Sequence, residues 1–464
     1  VATLNFYFPG GKYPQSYTPA ISGFDFNPQF GELVDLETAT LVSKSSTQIR
    51  YQLDNGLKLT ITGSGFTFNA AGEATGGTIT KFELFQSNGT TLVQSLTGLS
   101  HSLVALEDAV EAYDAWGVQK WLLNRSDTLN GSSGADDMYG FAGNDTFKGN
   151  GGDDFFVGGE GKDSYDGGSG YDQLSFDDAY NNTNAFKGIV LDAIARTVTD
   201  PYGNAETFTS IESFRGTQFA DSMKGSSLGE EFMGLGGRDT IDGGGGFDVV
   251  RFHRDERFGG TAGVKVNLAT GVATDGFGKQ DKLTSIEGVR GTDFADSLTG
   301  STVANFLRGD GGNDTLAGGL GNDTLVGGGG KDTFLFNTAP NASSNADKIE
   351  DFSAADDTIR LENAIFTAIS GTGTLTAAQF VKNTTGSAAD ASDRIIYETD
   401  TGKLYYDSNG NAAGGSVHFA TISTNLSITN ADFFVCVRSG TRARSNIGMP
   451  DVVTRPVQLF LEHA

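Results

Sequence analysis

Glycine and aspartate recur in this chain with a period of nine, and few folds accept such a period. From Gly131 to Ser175 the sequence runs GSSGADDMY, GFAGNDTFK, GNGGDDFFV, GGEGKDSYD, GGSGYDQLS, with Asp136, Asp145, Asp154, Asp163 and Asp172 in the sixth slot. The frame returns from Gly216 to Arg251 with Asp221, Glu230, Asp239 and Asp248, and from Gly291 to Leu335 with Asp296, Asn305, Asp314, Asp323 and Asp332. Written GGxGxDxUx, with U a large apolar residue, the pattern is that of a calcium-binding parallel β-helix repeat.

Each slot has a physical reason. Glycine at slots one, two and four lets the first six residues turn tightly with carbonyls pointing inward, and Gly134, Gly143, Gly152, Gly161, Gly312 and Gly321 are the fourth-slot examples. The sixth-slot carboxylate adds to that oxygen cage, and calcium takes six to eight such oxygens. Slots seven to nine form a very short strand whose middle residue enters the core: Met138, Phe147, Phe156, Tyr165 and Leu174 in the first block, and Leu298, Leu307, Leu316, Leu325 and Phe334 in the third. Glycine and aspartate also make ordinary turns and flexible linkers. A linker, however, has no reason to place an apolar residue two positions after every such Asp.

These motifs resemble those of the repeats-in-toxin (RTX) family of exported calcium-binding proteins, over residues 122–435. The resemblance implies a mainly β fold, a parallel β-roll in which two nonapeptides make one coil and calcium sits between stacked turns. Each acid then shares an ion with the one eighteen residues on: Asp136 with Asp154, Asp145 with Asp163, Asp154 with Asp172, Asp221 with Asp239, Asp296 with Asp314, and Asp314 with Asp332. Leu122 to Asn130 reads as a decayed repeat whose Asp127 would pair with Asp145. Glu230 in GSSLGEEFM and Asn305 in GSTVANFLR depart from the pattern and should bind poorly.

Charge and compartment agree with this reading. The formal net charge is -26. Stacked carboxylates without a counterion repel one another, so metal binding should be the folding event. That chemistry suits an extracellular or cell-surface protein, where calcium is abundant. The single cysteine, Cys436, excludes an intrachain disulfide. No apolar run approaches the length of a membrane span, the start VATLNFYFPGG lacks the pattern of a Sec signal, and the acidic balance argues against nucleic acid.

The chain divides into four parts. Residues 1–121 read as a β-rich domain with a hairpin turn at Asn88-Gly89, ending in one helix over about Ser102 to Leu123 that carries Trp116 and Trp121 and caps the first coil. Residues 122–335 are the β-roll, with repeat blocks at 122–175, 216–251 and 291–335. Between blocks, TSIESFRGTQFADSMKGSS from Thr209 matches TSIEGVRGTDFADSLTGST from Thr284, and the preceding GIVLDAIARTVTD and GVKVNLATGVATD read as strands continuing the stack. Residues 336–435, with ADKIEDFSAADDTIRL and LSITNADFFV, are similar to the C-terminal region of serralysin-type proteases and other type I secreted RTX proteins, which implies capping of the roll, an uncleaved secretion signal and the type I secretion machinery as partner. Asp347, Asp351, Asp356 and Asp357 fall on that family's capping motif. Asp407, Asn409 and Asn411 resemble the start of an EF-hand loop, but Ala412 stands in place of its glycine and His418 in place of its final Glu. Residues 436–464 form a basic tail with Arg438, Arg442, Arg444 and Arg455.

Catalytic motifs are scarce. His101, His253, His418 and His463 make no HExxH, and the one GxSxG, Gly225 to Gly229, lies inside the nonapeptide frame with no helix expected after it. The leading expectation is a non-catalytic surface, matrix or adhesive scaffold that binds cell-surface or matrix polysaccharide or copies of itself. The alternative class is an extracellular polysaccharide-modifying enzyme or accessory module of epimerase or lyase type.

Overall fold

A computed structural model describes residues 2–6, 39–54, 56–113 and 115–437. Strands Thr40–Lys44, Gln48–Gln52, Lys58–Phe68, Ala74–Phe85 and Leu92–Ser102 pair antiparallel in chain order. Their apolar residues Leu59, Ile61, Ile79, Phe82, Leu84 and Leu96 are buried, as period-two patterning requires. At the expected hairpin turn Gly89 has φ 70°, and the Asn88 side-chain oxygen accepts the N–H groups of Thr90 and Thr91.

The single helix expected after this sheet is two. Helix α1 (Leu103–Ala112) starts where the Ser102 hydroxyl accepts the Ala105 N–H and stops at Tyr113, whose backbone is extended. Helix α2 (Ala115–Leu122) follows directly. Helix α1 packs on strands Ala74–Phe85 and Leu92–Ser102, while the first rung of the roll is strand Thr3–Phe6, paired parallel with Thr128–Asn130 and antiparallel with Leu92–Ser102. The side chain of Trp116 lies outside the described residues; the Trp121 ring meets that of His101 at a tilt of 46°, ring centroids 4.5 Å apart.

From Thr128 onward the chain winds between two parallel ladders. One takes Thr128–Asn130, Thr146–Lys148 and Ser164–Asp166, the other Asp137–Tyr139, Phe155–Val157 and Gln173–Ser175. Parallel neighbours need a connection of a dozen or more residues. Here two turns and one strand of the opposite ladder supply it, so Thr146 registers with Ser164, eighteen residues on. The eighth-slot side chains meet between the ladders: Phe147 stacks on Tyr165 at 4.9 Å and meets Phe156 edge-on at 5.9 Å. The fold is thus a parallel β-roll.

The spacers join the stack by a detour. Strands Val190–Asp192, Thr197–Thr199 and Ala205–Thr209 form an antiparallel meander whose outer members pair parallel with Ser222–Lys224 and Ser164–Asp166. The second spacer repeats this with Lys265–Asn267, Val272–Thr274 and Gln280–Thr284. Beyond the third block, Asp347–Ile349 and Thr358–Glu362 extend the two ladders, and Ser416–Thr421 and Phe433–Cys436 add the next parallel strand to each. Among the described residues no helix is long and apolar enough to cross a membrane. Residues 438–464, with the arginines of the basic tail, lie outside the described residues.

Candidate metal centre

The sixth-slot residues form two columns, one along each edge of the roll. The backbone N–H of Asp127 donates to Oδ1 of Asp145 at 2.6 Å, Asp136 to Asp154 at 2.8 Å, Asp145 to Asp163 at 2.7 Å, and Asp154 to Asp172 at 2.8 Å. The later blocks repeat the step, Asp221 to Asp239 at 2.9 Å, Asp296 to Asp314 at 2.8 Å and Asp314 to Asp332 at 2.9 Å. Every acid named at this slot is 4% exposed or less. The eighteen-residue partners therefore touch directly.

One carboxylate oxygen is used in this way and the other is often left over. Asp127, Asp145, Asp154, Asp172, Asp239, Asp248, Asp314, Asp323 and Asp332 each bury an Oδ2 with no hydrogen-bond partner, and Asp136 buries such an Oδ1. A buried acceptor without a partner is costly, and a carboxylate more so. The glycines show what the space beside it excludes. A Cβ on first-slot Gly149 would stand 2.1 Å from Asp154 Oδ2 and 2.2 Å from the Gly167 carbonyl, and one on Gly309 2.0 Å from Asp314 Oδ2 and 2.6 Å from the Gly327 carbonyl. Carboxylate and carbonyl oxygens thus converge where no side chain fits. Among the described residues no three His, Cys, Asp or Glu side chains gather at one point, so a cage here is completed by carbonyls, ligands that suit calcium. The residues fit a calcium ion.

The fourth-slot glycines serve the stacking itself. Gly161 has φ 142°, and a Cβ there would lie 1.4 Å from the Gly143 carbonyl; Gly143, Gly152, Gly312 and Gly321 are also at positive φ against the turn one coil back. Gly134, at the start of the first block, instead donates its N–H to the Ser132 hydroxyl at 3.1 Å.

Three predicted acids differ. Asp221 accepts from Ile189 N–H and from the backbone and hydroxyl of Thr217, and Asp296 accepts likewise from Val264 and Thr292, so both oxygens are engaged. Threonine at the second slot fills the cradle at the first turn of each later block. Asp163 is bonded by the Tyr165 hydroxyl. The departures at Glu230 and Asn305 are satisfied within their own turns, by Ser226 and Ser301.

The columns also run further than the glycine pattern. Asp172 N–H donates to Glu212, Asp248 to Glu287, Asp239 to Asp281, Asp323 to Asp347 and Asp332 to Asp357. Glu212-Ser213-Phe214, Glu287-Gly288-Val289 and Asp281-Lys282-Leu283 keep the acid-x-apolar triplet of slots six to eight without the preceding glycines. That triplet was the available signal. At Ile189 and Val264 the column breaks, because an apolar residue occupies the sixth slot.

Burial raises these acids. The carboxyl of Asp145 is pushed up to about 8 by burial and then by Asp163, and that of Asp154 to about 8 by burial, with Asp172 and Asp136 adding to it. Asp239 reaches about 10, from burial and then Asp221, while Asp172, Asp296 and Asp323 reach about 6, chiefly from burial. Folded values above the unfolded one, near 4, mean that the metal-free fold takes up protons. Its stability from these groups is complete below about pH 4 and is lost as pH rises through about 6 to 10. Chelated protein should therefore gain far-UV β signal between pH 8 and pH 5. A chelated form most structured at pH 8 would contradict this.

The fold and its acid columns define the class, a calcium-binding parallel β-roll. The RTX calcium-binding nonapeptide repeat model matches at residues 123–156, 139–174 and 215–250, and the peptidase M10 serralysin C-terminal model at 299–435. The chain carries RTX calcium-binding repeats and a serralysin-type C-terminal region, so it binds several calcium ions and is exported to the extracellular space by the type I route. Among solved structures it is similar to the AlgE6R3 subunit of the Azotobacter vinelandii mannuronan C5-epimerase, at 17% identity over 53% of this chain and 93% of that one, TM-score 0.18. It is similar also to the extracellular lipase LipA from Serratia marcescens, at 19% identity over 67% of this chain and 40% of the lipase, TM-score 0.18. The chain thus spans less than half of the lipase's length. No curated protein matches it.

Proposed function

We propose that this RTX protein is a calcium-hardened extracellular scaffold that does no chemistry of its own and associates through one edge of its roll. Its parts in this reading are a β-rich N-terminal domain (1–121), the roll (122–335), a capping and secretion region (336–435) and a tail (436–464). The ions sit at the acids with a leftover buried oxygen, Asp154 and Asp314 foremost. The observation that carries association is a row of exposed apolar side chains in turns that lead into the second ladder: Tyr171, Leu228, Phe247, Val303 and Leu320, 38 to 68% exposed. Leu228 and Phe247 stand on consecutive turns of that edge. Adjoining exposed apolar side chains such as these two support an interaction site there. The partners are further copies of the chain or envelope polysaccharide.

The experiment is light scattering and a pull-down on cell envelopes across a calcium series. Wild-type protein should assemble or bind more strongly as calcium rises, and the variant Leu228→Ser/Phe247→Ser should do so several-fold less while keeping its calcium-dependent β signal. A protein that stays monomeric, ignores envelopes and turns over an extracellular polymer would replace the scaffold with the enzyme reading.

A further inference from the structure

The two spacers place acids in the same position and treat them differently. In the first, Asp163, Asp178, Asp200 and Glu206 are all met by donors. The fully buried Tyr165 hydroxyl reaches Asp163 and Glu206, at 3.3 and 3.4 Å, the Tyr202 hydroxyl donates to Asp178, and the Asn204 side chain donates to Asp200 at 2.9 Å. Only Glu206 Oε1 among these four acids is buried without a partner.

In the second spacer the donors are replaced and the acids stay. Ile241 stands where Tyr165 does, Phe277 replaces Tyr202, and Lys279 replaces Asn204, while Asp239, Asp275 and Asp281 take the positions of Asp163, Asp200 and Glu206. Asp255, from the short helical turn Asp255–Phe258, faces the same turn through the Gly276 N–H, which donates to its Oδ2 at 2.9 Å. Asp275 Oδ1 accepts from Phe277 and Lys279 N–H, and Asp281 Oδ1 from Asp239 N–H. What remains is Asp255 Oδ1 and Asp275 Oδ2, both buried and unpartnered on side chains each 1% exposed, next to Asp239, whose Oδ2 belongs to the repeat column. The negative charges of Asp275 and Asp281 act on Asp255, and those of Asp275 and Asp281 on Asp239. Lys279, exposed on the turn, offsets part of this at Asp275.

We propose that the second spacer holds a divalent cation, calcium, outside the nonapeptide frame, between Asp255 and Asp275 with Asp239 and Asp281 behind them, and that the first spacer, filled by its tyrosine and asparagine donors, takes none. Buried anions held together without a counterion are among the least favourable arrangements in a protein interior, and carboxylate oxygens supplemented by backbone carbonyls are what calcium takes. The four side chains do not meet at one point as they stand. Asp255 and Asp275 therefore close on the ion by side-chain rotation, with carbonyls of the spacer turns completing the shell.

The test is calcium stoichiometry of the full chain by equilibrium dialysis at millimolar free calcium, with far-UV circular dichroism to check folding. Asp255→Asn/Asp275→Asn should bind one ion fewer than wild type, and Asp178→Asn/Asp200→Asn in the first spacer the same number as wild type. Because the first pair could disturb folding, Ile241→Tyr/Phe277→Tyr restores the hydroxyl donors and should also lose one ion with its β signal intact. Unchanged stoichiometry in either second-spacer variant, once folded, overturns the proposal, as does loss of an ion from the first-spacer variant. Asp154→Asn, in the repeat column, is the control that separates this site from the nonapeptide ions, since its loss of calcium depends only on the repeat.

Discussion

Removal of calcium with excess EGTA should collapse the far-UV β signal of residues 128–362, and millimolar calcium should restore it. The expectation rests on magnitudes. A folded domain is stable by about 5 to 15 kcal/mol, and one ion held at about a hundred times its dissociation constant contributes about 2.7 kcal/mol. Buried acids with a leftover oxygen, such as Asp145, Asp154, Asp314 and Asp332, offer enough sites for the ions to supply all of that margin. Each three-residue strand adds one core side chain, and turns such as 149–154 contribute carboxylates to the interior and almost no apolar surface. The transition should be steep in calcium, because each acid column links neighbouring turns. Magnesium should do little, since it demands tight octahedral geometry and keeps its water. Identical spectra in EGTA and in calcium would remove metal-driven folding from the account.

What the sequence made legible followed its period. Nine residues per turn and strand, with an apolar eighth slot, specify the register of Thr146 with Ser164 and the burial of Phe147, Phe156 and Tyr165. Where glycine is absent the pattern hides the same structure. Phe141, Asn150, Leu235 and Asp310 occupy the second slot at positive φ, and Ser210 and Ser285, two residues ahead of Glu212 and Glu287, are at positive φ as well. A search keyed to glycine therefore stops before the acid column does. Strand direction in the spacers was not legible either, because period-two alternation is the same in both directions; Arg196, at φ 58°, makes the turn that reverses the chain between Val190–Asp192 and Thr197–Thr199. The rung Thr3–Phe6 is set by pairing across about 125 residues, with Asp127 accepting the Ala2 N–H. No local pattern announces it.

Deleting residues 337–464 should abolish export through a type I system, whereas deleting residues 1–100 should leave it intact. The two deletions remove comparable lengths of chain but different kinds of information. Residues 299–435 match the serralysin C-terminal model, and their strands Asp347–Ile349 and Thr358–Glu362 carry the ladders past the last repeat. Removing 1–100 takes away the rung Thr3–Phe6 and most of the antiparallel sheet, which should lower the stability of the first coil. Export should not feel that loss. A roll whose folding depends on calcium stays open where calcium is scarce, so the chain is expected to reach the exporter before either end of the roll has formed. The measurement is immunoblotting of culture medium and cell fractions from a host carrying the exporter. Chain 101–464 is expected in the medium, folded on contact with calcium, and chain 1–336 in the cells. Retention of 101–464, or release of 1–336, would move the export signal out of the region where its resemblance and its capping strands now put it.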